Sequence, residues 1–161
     1  MAKFHITNET LYRIKEALSL DMQTMLDIYD LESYPMKRER LSGLLKRRGD
    51  KAFQVCSYEE LGVFLDGLIT YKRGPSPKRP DDDASVALTN NLILKKLRIA
   101  LELKEFEIDI VFQLADTPLS KQEIKSLFRN EAHKNFKYCS DELLIAFLKG
   151  LDEFYYDGEE I

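Results

Sequence analysis

The chain has 161 residues, 44% hydrophobic and 32% charged, with a net charge of −4. That makeup suits a folded globular protein and argues against both a disordered chain and general affinity for nucleic acid. Its longest apolar run, "LLIAFL" at 143–148, falls far short of the roughly 18 residues of a bilayer span, so no membrane partner is expected.

The N-terminus, "MAKFHITNETLYRI", carries no apolar export core or cleavage site. Two cysteines in such a chain read as reduced thiols, and a cytoplasmic location is expected. Residues 8–74 carry eleven basic and eleven acidic side chains, yet "KRERLSGLLKRRGDK" at 37–51 holds seven basic residues against Glu39 and Asp50. This segment is read as the third helix of a first unit. A fourth follows, opened by Ser57 and Glu60 at the spacing of a capping box. Next comes "GPSPKRPDDDAS" at 74–85, whose prolines and acidic triplet Asp81–Asp83 suit an extended, solvated linker.

Beyond the linker the helical period is plain. Leu94, Leu97, Ala100 and Leu101 mark one helix; Ile108, Val111, Phe112 and Ala115 mark a second. Thr117 followed by Pro118 is expected to cap a third, carrying Ile124, Leu127 and Phe128. Ser140 would cap the last, with Leu143, Leu144, Phe147, Leu148 and Leu151 on one stripe.

The two halves are copies. "DKAFQVCSYEELGVFLDGL" (50–68) and "HKNFKYCSDELLIAFLKGL" (133–151) agree at ten of nineteen positions. At the same offset of 83, without a gap, 18 of 61 positions agree across 8–68, including Asn8 with Asn91 and Pro35 with Pro118. Unrelated chains would share roughly one position in sixteen. The expectation is an all-α protein of two tandem, pseudo-symmetric four-helix repeats packed together: 1–74, a Pro/Asp-rich linker at 75–89, and 90–161. Within the shared segment, Phe53 and Phe136 read as plugs, and Cys56 and Cys139 as small buried residues before the capping serines. Gly67 and Gly150, unfavourable in mid-helix, read as close helix crossings, expected to accompany an apolar interface shared by the two repeats.

"NNLILKKLRIALELK" (90–104) and "HKNFKYCSDELLIAFLKGL" resemble the YehS-like proteins, small bacterial proteins built from two copies of a domain of unknown function. The resemblance covers nearly the whole chain. It implies a bacterial source and a cytoplasmic location, and carries no activity and no catalytic residue.

The residues themselves offer little chemistry. His5 and His133 are remote from each other, and no phosphate loop, nucleophile elbow or zinc motif is present. The expectation is a non-enzyme with no catalytic, metal or cofactor site, in which His133 and Asn135 make loop hydrogen bonds. Two binding readings remain. Helices two and three loosely resemble a helix-turn-helix, and Lys37, Arg38, Arg40, Lys46, Arg47, Arg48 and Lys51 would then contact phosphates of a nucleic acid. The reading placed first is a protein-interaction module with an unknown partner. In it the terminal aromatics Phe154, Tyr155 and Tyr156, which cannot all be buried on one stripe, meet a protein or a second copy of the chain.

Overall fold

A computed structural model describes residues 5–75 and 87–156. Over those residues the chain is all-helical, without strands. The first repeat contributes α1 (Ile6–Ala17), α2 (Met22–Leu31), α3 (Arg38–Leu44) and α4 (Tyr58–Arg73). The second contributes α5 (Asn90–Leu101), α6 (Glu105–Leu114), α7 (Lys121–Leu127) and α8 (Asp141–Phe154). The Asp81–Asp83 triplet, most of the expected linker and the tail beyond Tyr156 lie outside the described residues.

Local chemistry sets the helix starts. Ser57 and Glu60 form the expected capping box on α4, and the Ser140 hydroxyl accepts from the Leu143 N–H to open α8. α7 differs from expectation. Its cap is Ser120, boxed with Glu123, while the Thr117 hydroxyl donates back to the Ala115 carbonyl and Pro118 stays in the connection. A serine three residues before a glutamate satisfies two amide N–H groups, which the Thr-Pro start cannot match.

The repeats are alike down to their irregularities. Ser19 and Ser33 take left-handed backbone after α1 and α2, and so do Glu102 and Asp116, 83 residues later, after α5 and α6. Asn8 is buried in the first repeat. Its amide donates to the carbonyls of Leu44 and Gln54, both at 2.9 Å, and its oxygen accepts the Cys56 N–H at 2.9 Å. Asn91 repeats this with Leu127 (3.0 Å), Lys137 (2.9 Å) and Cys139 (2.9 Å). Each asparagine thus satisfies two backbone groups of the irregular segment before the fourth helix and the last carbonyl of the third, which otherwise would be left unpaired.

Packing interleaves the two copies. Inside a repeat α2 lies on α4, and α6 on α8. The first helix of each repeat lies mainly on the last helix of the other: α1 on α8, and α5 on α4. One continuous apolar core results, with Leu11, Ile14, Phe64, Leu94, Leu97 and Phe147 all inaccessible or nearly so. Lys96, almost wholly buried, crosses the same seam to pair with Asp66 at 2.6 Å.

Gly67 and Gly150 are close crossings, though inside each repeat and not at the seam between them. A Cβ on Gly67 would strike the Ile28 carbonyl of α2, and one on Gly150 the Val111 carbonyl of α6.

Candidate functional site

The basic segment does not form one helix face. α3 ends at Leu44, so Lys46, Arg47 and Arg48 follow the helix in a series of turns instead of lying on it. Lys37 is the residue before the first turn, and Lys51 lies exposed in the loop. Arg38 donates to the Gln23 side chain at 2.7 Å. Arg40 folds inward. Its guanidinium grips Glu60 through two bonds of 2.9 and 2.8 Å and also donates to Gln54 (2.6 Å) and to the Val55 carbonyl (2.9 Å). Glu60 is only 6% exposed, so this arginine neutralises a buried carboxylate.

Lys46, Arg47 and Arg48 instead line a cleft of about 720 Å³ between α1 and residues 44–53. His5, Tyr12 and Phe53 supply rings to its lining, and the His5 and Phe53 rings lie 5.6 Å apart. Glu9 also lines it but is held by Arg13 at 2.6 Å. The second repeat has a matching cleft of about 420 Å³, where Arg129, Asn130 and Glu131 take the places of the three cations and Lys95 that of Tyr12.

A second surface lies on α6. Phe106 (62% exposed), Ile110 (38%) and Leu114 (43%) follow one another at four-residue steps along one side of the helix. Glu105, Glu107 and Asp109 lie among them, and no basic residue falls within α6. Residues 154–156 close and follow α8, which packs on α6. Phe154 is half-buried against the core and meets the Tyr155 ring edge-on at 5.2 Å; Tyr156 is exposed. Burial pushes the Tyr155 hydroxyl's pKa up, and the charge of Glu107 on α6 adds to the shift.

The sequence reading centres on Phe154, Tyr155 and Tyr156 and does not include Phe106 and Ile110. The two repeats differ here at the same offset of 83. α2 carries Gln23 and Asp27 at the matching places, exposed and bonded to each other at 2.9 Å. Differences between the copies, not identities, mark this surface.

The two thiols show structural roles. Cys56 and Cys139 are buried, burial pushes both pKa values up to about 12, and each thiol donates to the carbonyl of the following serine at 3.4 Å. A thiol so placed is a poor nucleophile at neutral pH. His133 is exposed, and its Nδ1 accepts the Asn135 N–H at 2.9 Å. Among the described residues no group of three His, Cys, Asp or Glu side chains is placed to hold a metal ion. No helix among them is long and apolar enough to cross a membrane.

Comparison with known proteins gives kinship without an activity. The family model "Protein of unknown function (DUF1456)" matches twice, at residues 7–74 and 90–155. The chain is also 32% identical over 146 residues to "Uncharacterized protein YehS" of Escherichia coli (strain K12), covering 91% of this chain and 94% of that protein. No solved structure matches.

Proposed function

Because the chain belongs to the DUF1456 family of proteins of unknown function, no activity passes to it by kinship, and we propose from its own geometry that it is a non-catalytic binding module whose principal ligand is another protein. The observation that carries this reading is the apolar stripe Phe106–Ile110–Leu114 on α6. α2 fills the same place in the same fold with Gln23 and Asp27 at two of these positions, so folding does not require Phe106 and Ile110 to be apolar. Two large hydrophobic side chains left in water on one copy alone are accounted for by a partner that covers them.

The acidic residues among the stripe select the partner's chemistry. Glu105, Glu107 and Asp109 favour a segment with an apolar face and basic flanks, of the kind an amphipathic helix presents. Tyr155, just past α8 and near enough to Glu107 to feel its charge, extends the surface with a ring suited to interfaces.

Site-specific crosslinking tests the reading. A photoreactive phenylalanine in place of Phe106 is expected to crosslink a discrete protein in cells, whereas the same group in place of Gln23 on α2 is not. Equal crosslinking from both places, or none from position 106, would sink the reading; a crosslink only to a second copy would make the partner the chain itself.

A further inference from the structure

The cleft of the first repeat is independent of that surface. Its volume of about 720 Å³ lies within the range of small-molecule sites. Lys46, Arg47 and Arg48 line it in succession, and among the described residues none of their side chains makes an ion pair or hydrogen bond. The acids beside them are engaged: Glu9 is held by Arg13, and Asp50 accepts the Ala52 N–H at 2.8 Å. The cations therefore remain available to an anion from outside. The same cleft offers ring faces and edges from Tyr12, 43% exposed, and from the half-buried His5 and Phe53.

The second repeat acts as an internal control. Its cleft keeps the asparagine clamp and Phe136, with Asn130 and Glu131 for Arg47 and Arg48, and Lys95 for Tyr12. The scaffold closes as well with those residues, so neither the run of cations nor the exposed tyrosine serves the fold.

We propose that the first-repeat cleft binds a nucleotide, a phosphate ester carried on an aromatic base, either free or within a single strand. Cations recognise the phosphate and the rings stack the base, the pairing used wherever proteins hold unpaired nucleotides. A duplex presents phosphates but keeps its bases stacked away from such rings.

The test uses the full chain at low salt, with adenosine monophosphate, inorganic phosphate, a fluorescent single-stranded oligonucleotide and its duplex as probes. The nucleotide and the single strand are expected to bind, with the duplex and inorganic phosphate at least tenfold weaker. R47N/R48E carries the residues of the second cleft and should therefore fold. It is expected to lose nucleotide binding at least tenfold and to flatten the slope of log affinity against log salt for the single strand by about 1.4, two phosphate contacts at roughly 0.7 each. Tyr12→Ala should weaken the nucleotide and leave inorganic phosphate unchanged. No binding by the parent, binding unaltered in R47N/R48E, or equal affinity for nucleotide and inorganic phosphate would each overturn the assignment.

Discussion

Gly150→Leu is expected to cost at least about 3 kcal/mol of stability, at the upper end of overpacking effects. A Cβ built at Gly150 overlaps the Val111 carbonyl, with the Val111 carbonyl carbon and Cγ1 both at 2.8 Å. The obstacle is backbone, and the Val111 oxygen already serves the hydrogen-bond ladder that closes α6. Rotamer changes cannot make room, so α8 must move away from α6 and the core opens. In a protein this size, 3 kcal/mol corresponds to a drop in Tm of about 6–12 °C. Gly67→Leu should behave alike through Ile28. Gly62, also in α4, meets among the described residues only a Leu88 methyl at 3.9 Å, so Gly62→Ala should be neutral or stabilising by up to about 1 kcal/mol. Urea midpoints for the three variants check this; a parent-like midpoint for Gly150→Leu would remove the close crossing from the account.

Arg40→Met is the second large effect, expected at about 2–3 kcal/mol at neutral pH. Loss of one partner from a fully buried pair typically costs 3–5 kcal/mol; here the Arg40 side chain is 35% exposed and Glu60 8%, so water moderates the loss. The pH dependence gives a sharper signature. Burial pulls the Glu60 pKa up, but the Arg40 hydrogen bonds and charge, with the Ser57 N–H, outweigh it and leave the group below its ordinary value. A carboxyl depressed in the folded state gives stability that is full above its unfolded pKa of about 4.3 and is lost as pH falls through the folded value. Without Arg40 the burial acts with only Ser57 against it, so the variant's carboxylate is a liability at pH 7 that protonation relieves. The gap between parent and variant in urea midpoint should therefore narrow between pH 7 and pH 4. A gap of constant size would mean that Arg40 acts by packing alone.

Arg40 also shows where the sequence stops being legible. In "KRERLSGLLKRRGDK" it looks like any other surface cation, because its partner Glu60 lies twenty residues on and is shared with the capping box of α4. Lys46, Arg47 and Arg48 look helical by continuity, yet α3 closes at Leu44, and the chain turns there to bring Gln54 N–H back to the Gly43 carbonyl. Asn8 and Asn91 stand out as a matched pair, but their partners are backbone groups 36 to 48 residues away, which no local pattern encodes.

The helical class, the two repeats, the glycine crossings, the buried thiols and the caps at Ser57 and Ser140 are all readable because each depends on period, spacing or side-chain size close in sequence. The interleaving of α1 with α8 and α5 with α4 is not, because apolar stripes specify burial without naming what buries them. The stripe on α6 escaped for a related reason. Phe106 and Ile110 look like core residues until the helix that buries Ile108, Val111 and Phe112 is seen to leave them outside.

That stripe carries the central claim, and comparison of one variant with its parent tests it most directly. F106Q/I110D places on α6 the residues that α2 carries at the same positions, so its melting temperature should stay close to that of the parent. Removing two interface anchors should cost at least about 2 kcal/mol each, more than 25-fold apiece in affinity. Affinity capture after nuclease treatment, with parent and variant as bait, is expected to recover a discrete protein with the parent and to lose it with the variant. Recovery of the same protein in equal yield by a folded F106Q/I110D would contradict the account.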